Sequence, residues 1–251
     1  MIDIIHDYWR AFLWTDGQGY SGVAVTLFLL IASTAGGGLL AIPLAIARNS
    51  RNMFLNAPVW VFTNLFRGTP LYVQLLIFYT GVYSLQFVQQ SEIANSFFRS
   101  SYNCTILTFI LNECAYVTEI LAGAIKATPK GEVEAAFAFG ISKPKLYLHL
   151  IMPSAFRRTL PTLGNEVVFM LHGTTVAFTA TVPDILKVAR DANAATYASF
   201  QVFAIAAALY LAISMLIIAG FKRAEVRWLQ HLGSRRSHVA VPLSQIATTE
   251  T

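Results

Sequence analysis

An all-α, polytopic membrane protein with five transmembrane helices is the fold class predicted by this 251-residue sequence, and three observations predict it. Hydrophobic residues make up 55% of the chain and charged residues only 12%, about half the charge of an ordinary soluble domain. So little charge cannot clothe a water-exposed globule, and lipid is the expected solvent. Five stretches also reach the roughly 20 mostly apolar residues needed to cross the hydrocarbon core. Finally, the basic residues gather on alternate connections between those stretches, as the positive-inside rule requires.

Residues 1–20 form a lead-in. Asp3 and Asp7 stand where a secretory signal would carry basic residues, and no long apolar core or small-residue cleavage site follows. The segment is expected to be kept, as an amphipathic approach whose Trp9 and Trp14 suit the membrane interface. The first span, Ser21 to Ala47, is free of charge. The second runs from Ala57 to about Leu85 and is interrupted by Arg67; Pro70, which lacks an N–H, should break or kink it. The third, Tyr102 to Ile125, contains Glu113 and Glu119. The fourth covers about Thr159 to Val182 with Glu166 inside, and the fifth covers Tyr197 to Phe221. Residues 21–221 are thus one membrane domain, 126–158 its long loop, and 222–251 a terminal tail. From Gly233 onward the tail is polar, without periodicity, and expected to be disordered.

Charge sets the orientation. With the N-terminus outside, the inner connections hold Arg48 and Arg51, then Lys126, Lys130, Lys143, Lys145, Arg157 and Arg158, then Lys222, Arg223, Arg227, Arg235 and Arg236. The outer connections hold only Arg10, Arg99, Lys187 and Arg190. That asymmetry accounts for the net charge of +5 without nucleic acid. Cys104 and Cys114 lack metal-ligand spacing and read as small buried residues. Neither H-E-x-x-H nor G-x-S-x-G occurs, which removes the commonest signals of an intramembrane enzyme. The absence of G-x-x-x-x-G-K-[ST] means that any ATP-driven work needs a separate subunit.

The long loop carries the sharpest motif. Glu134-Ala135-Ala136 is followed four residues later by Gly140, and an apolar pair precedes Pro153. Gly140 should end one short helix, and Lys143-Pro144 should begin another. Ala135, Ala136 and Gly140 present no bulk, so such a knob could sit close against another protein, with Glu134 facing a basic partner. This pattern resembles the signature loop of ABC importer permeases of the type I, MetI-like fold. Phe66 to Leu75, Ala115 to Ile120 and Leu163 to Glu166 resemble motifs of the polar amino-acid branch. Within that branch the similarity is to a membrane subunit of the histidine/lysine/arginine/ornithine importer, from Ile2 to Trp228-Leu229-Gln230-His231. One departure is Ala122-Gly123, where the branch often has Arg-Gly.

The resemblance implies a bacterial inner-membrane permease with a periplasmic N-terminus and a cytoplasmic C-terminus. It implies a pseudo-symmetric heterodimer with a second permease, an ATPase homodimer that binds ATP and magnesium, and a periplasmic binding protein docking near Pro183 to Asn193. No cofactor is expected in this chain. The cargo implied is a cationic L-amino acid; opines or other polar amino acids remain open, as does a passive channel or secondary transporter.

Ionisable groups within the membrane are costly and usually face a wet cavity or a partner. On the fourth span Asn165 and His172 are seven apart, as are Glu166 and Gly173, with Thr174 and Thr175 following. That makes a polar stripe on an apolar helix. Glu166 is the candidate for attracting a cationic substrate, with Asn165, His172 and Thr174 beside it; His172 reads more readily as a satisfied core histidine. Arg67 could meet a substrate carboxylate or pair with a glutamate of the third span. Glu113 and Glu119 read as substrate contacts or as structural glue.

Overall fold

The computed structural model describes residues 2–233. Its helices are α1 (Ile2–Leu13), α2 (Val23–Arg48), α3 (Met53–Gly68), α4 (Leu71–Leu76), α5 (Gln86–Gln90), α6 (Glu92–Phe98) and α7 (Ser101–Lys126). Then come α8 (Lys130–Ala138), α9 (Lys143–Leu146), α10 (Met152–Gly173), α11 (Ile185–Thr196) and α12 (Ser199–Gly233). A π-helical turn, Ile77–Val82, extends α4, a second one, Tyr147–Ile151, leads into α10, and a 3₁₀ segment, Thr174–Ala180, follows it. The all-α class is as expected.

Among the described residues, three helices are long and apolar enough to cross a membrane alone: α2, α7 and α12. The other two predicted spans are not single helices. The second is split at Thr69-Pro70 into α3 and α4 with its π-turn. The fourth begins earlier than expected, at Met152, and changes to 3₁₀ geometry after Gly173. Arg157, Arg158 and Glu166 put three charges into α10, so length and composition do not by themselves make it a span. The fifth span runs on past Phe221 to Gly233; the rest of the tail, 234–251, lies outside the described residues.

Two cores hold the bundle. One gathers Phe12, Leu29, Leu75, Phe109, Leu171, Ile185 and Val202. The other gathers Ala41, Ala45, Leu121, Ala136, Leu146 and Ala155. On α7 the first core ends at Phe109 and the second starts at Cys114, leaving Asn112 and Glu113 between them. On α2 the gap falls around Gly37, whose missing side chain lets α7 approach: a Cβ there would lie 2.7 Å from Glu113 Cβ. A polar layer therefore sits between two apolar ones.

At the end of the bundle where α2 begins, α1 and α11 are clamped together. Gly22 donates its N–H to the Pro183 carbonyl at 2.8 Å, and Ser21 Oγ donates to the Ala11 carbonyl at 2.8 Å. Asp184 caps α11 by accepting from the Lys187 N–H at 2.9 Å, and Tyr210 donates its hydroxyl to the same carboxylate at 3.0 Å. Thus the Pro183 to Asn193 stretch is mostly a capped helix rather than a loop. The sequence signal was Asp184 just before an apolar residue, an ordinary helix start.

Candidate functional site

Pro70 decides the local geometry of the polar layer. Lacking an N–H, it cannot bond the Phe66 carbonyl one turn back, and α3 ends with Thr69 extended. Gln74 supplies the missing donor: its Nε2 donates to the Phe66 carbonyl at 2.7 Å and the Thr69 carbonyl at 3.0 Å. Its Oε1 accepts from Asn112 Nδ2 at 3.0 Å, which ties α4 to α7. Gln74→Leu should leave those carbonyls without the amide, at a cost of about 1–3 kcal/mol for a buried unpaired group. Thermal unfolding of the purified protein in detergent measures this, and an unchanged midpoint would show that the joint does not need the amide.

Beside this joint lies a cleft of about 420 Å³, lined by Leu71, Asn112, Tyr116, Glu166, Phe169, Met170 and Gly173. Asn112 and Tyr116 are four apart on α7, and Glu166, Phe169 or Met170, and Gly173 follow one face of α10. The Arg67 guanidinium stands 5.4 Å from the centre of the Tyr116 ring, within cation–π range. One carboxylate, one carboxamide and one phenol thus converge on an otherwise apolar cleft, with a cation behind the phenol.

The structure divides the sequence-predicted residues. Glu166 and Gly173 face the cleft, but Asn165 and His172 do not line it. His172 is exposed, with Nε2 3.4 Å from Ser214 Oγ of α12. Thr174 is fully buried and spends its hydroxyl on the Leu171 carbonyl at 2.7 Å. Arg67 makes no ion pair with a glutamate of α7, because Arg48 takes that place. Arg48 Nε donates to Glu119 at 2.8 Å, and Thr63 Oγ1 donates to the same oxygen at 2.7 Å. Glu119 sits nearer the end of α7, at the level where α2 delivers Arg48, and lines a different pocket. Glu113 is 1% exposed, and its Oε2 has no hydrogen-bond partner among the described residues.

The long loop folds as the spacing suggests. Gly140, at φ 72°, donates to the Phe137 carbonyl at 2.9 Å while Ile141 donates to the Ala136 carbonyl at 3.1 Å. This is a Schellman ending, and a left-handed residue at that position favours glycine. Glu134 and Ala135 are exposed, and Phe139 is 86% exposed. Ala136 is only 6% exposed and packs with Leu121, Leu146 and Ala155, so its small size serves this chain's own core. Pro153 stands in the first turn of α10, where a missing N–H costs little. Arg158 anchors the loop's two ends, donating to the Ala124 carbonyl at 2.9 Å and to Ser154 Oγ at 2.8 Å.

Residues 37–230 match the family described as binding-protein-dependent transport system inner membrane component. The chain belongs to this family. It is therefore an inner-membrane transport component rather than an enzyme. The permease is 58% identical over 235 residues to the histidine/lysine/arginine/ornithine transport system permease protein HisM of Salmonella typhimurium, covering 94% of this chain and 100% of that protein. It is 37% identical to the octopine transport system permease protein OccM of Rhizobium radiobacter, over 82% of this chain and 84% of that one. Its structure resembles a chain of an amino acid ABC transporter crystallised with histidines, with a TM-score of 0.71 and 26% identity over 82% of this chain and 92% of that one. The fold is also that of the inward-facing MetNI methionine ABC transporter, with a TM-score of 0.66 and 16% identity over 81% of this chain and 92% of that one.

Sequence reasoning does not single out Gln74, Asn112 or Tyr116 as site residues of this permease. The usable signals were a glutamine four residues after a mid-span proline and a polar pair four apart on the third span.

Proposed function

We propose that this chain is one of two similar permease subunits of an ATP-binding cassette importer moving histidine, lysine, arginine and ornithine inward by alternating access. In this reading residues 21–221 cross the membrane five times, residues 1–20 lie on the periplasmic face, and 126–158 and 222–251 lie in the cytoplasm. A loaded periplasmic binding protein delivers the amino acid. Two ATPase subunits hold the ATP and magnesium, and their closure moves the Glu134–Gly140 knob. Exposed Phe139, Glu134 and Ala135 support that docking role, since one apolar ring beside a carboxylate and a small residue suits a groove. The likeness to HisM over its whole length supports the cargo.

One observation carries the pathway: Glu166 is the carboxylate that lines the cleft among the described residues. A cationic amino acid passing there gains a charge-assisted bond, worth about 1.5–3 kcal/mol. Tyr116, with Arg67 stacked on it, supplies a polar and positively backed wall toward the amino acid's carboxylate. Glu166→Gln should therefore raise the KM for arginine uptake by roughly tenfold or more. Liposomes containing the complete complex test this, and transport at unchanged affinity would remove Glu166 from the pathway. Wild-type complexes that carry octopine but not arginine would instead move the cargo to the opine class.

A further inference from the structure

A second polar pocket, of about 640 Å³, lies where α2 and α7 end and α3 begins, its Glu119 three residues along α7 from Tyr116 of the Glu166 cleft. Arg48, Arg51 and Lys126 line it, with Glu119 as its carboxylate and Asn49 and Asn56 beside them. Three cations face one anion. Arg48 is fully engaged, by Glu119 and by Asn56 Oδ1 at 2.7 Å. Arg51 and Lys126 make no ion pair or side-chain hydrogen bond among the described residues. Nor are they needed to cap α7: Asn49 Nδ2 donates to the Ala122 carbonyl at 3.1 Å, and Arg158 covers the Ala124 carbonyl. Between the pocket's Arg51 and Asn56 in the chain, Met53 and Phe54 open α3 at 77% and 89% exposure.

We propose that this pocket holds the headgroup of an anionic phospholipid from the cytoplasmic leaflet. Basic pockets between transmembrane segments on the inner face are a recurrent way to hold such headgroups. The phosphodiester answers Arg51 and Lys126, while the acyl chains run down past Met53 and Phe54. An acidic side chain of a docking protein would satisfy the two cations but would leave the adjoining Met53 and Phe54 uncovered, so these two exposed residues favour lipid. A lipid seated there braces the short turn between α2 and α3, on the same face of the bundle as the α8 knob. The inner-leaflet assignment rests on the topology proposed above.

The test uses the complete complex in detergent, with bound lipid counted by native mass spectrometry after addition of phosphatidylglycerol or phosphatidylcholine. The wild type should retain phosphatidylglycerol preferentially. Arg51→Gln with Lys126→Gln should weaken that retention by roughly fivefold per cation, and Arg51→Lys with Lys126→Arg should keep it. Equal retention by the wild type and the neutral double variant overturns the site. Displacement of the lipid by millimolar inorganic phosphate makes it a free-anion site, and retention only after the ATPase is stripped makes it a protein contact; either overturns the lipid assignment. Lipid is counted without transport, so failure of the Glu166 prediction does not decide this result. Labelling of Ser50→Cys only from outside the cell would refute the leaflet separately.

Discussion

Gly22→Ala is expected to yield no folded permease at physiological temperature. A Cβ at this position would lie 1.9 Å from the Phe12 carbonyl oxygen and 2.5 Å from that of Ala11, and both are backbone atoms that cannot rotate away. Gly22 also holds φ 60° and ψ −129°, a combination open essentially to glycine alone. Relief requires pulling α1 off the bundle, which breaks the bond from Gly22 N–H to Pro183 and strips Phe12 from the core. Strain and lost burial together come to about 4 kcal/mol or more, a large share of a domain's stability. Gly17 supplies the control. It too has positive φ, at 94°, but a Cβ there meets nothing within 4 Å among the described residues. Gly17→Ala should cost only about 1 kcal/mol. Size-exclusion profiles and thermal unfolding of the two variants separate the cases, and similar behaviour would mean that the α1 clamp is dispensable.

Gly140→Asp should do the opposite, sparing the fold and stopping the machine. Aspartate tolerates the left-handed region better than most residues, and nothing among the described residues lies within 4 Å of a Cβ at Gly140. The Schellman ending therefore survives, and a new charge projects beside exposed Phe139 and Glu134. ATP-driven uptake is expected to fall more than tenfold, with the ATPase recovered poorly when the permease is purified. Gly140→Asn carries the same shape without charge and should keep most of the activity. Assembly and uptake at wild-type levels in the aspartate variant would remove this surface from energy coupling.

These outcomes also mark what the amino-acid order reveals. Gly140 and Pro70 could be read directly, because a left-handed helix end and a missing amide are local demands that one residue announces. Burial on a short helix is different. Ala135 and Ala136 are chemically identical neighbours, and only the packing of α8 on Leu121 and Ala155 turns one outward and the other inward. Likewise the seven-residue spacing of Asn165 and His172 correctly puts them on one face of α10. Which face meets the cleft depends on where α4 and α7 lie. Arg48 and Glu119 are 71 residues apart, and nothing local to either predicts their bond. Polar residues within spans were visible; their partners were not.

The Gln74 amide has a mechanical consequence. A proline break in a membrane helix ordinarily strips carbonyl oxygens bare, and bending it further would expose them to hydrocarbon. Here the replacement donor is a buried side-chain amide that bonds both the Phe66 and Thr69 oxygens, so neither is left bare. The break therefore keeps its carbonyls paired while Asn112 holds the same amide to α7.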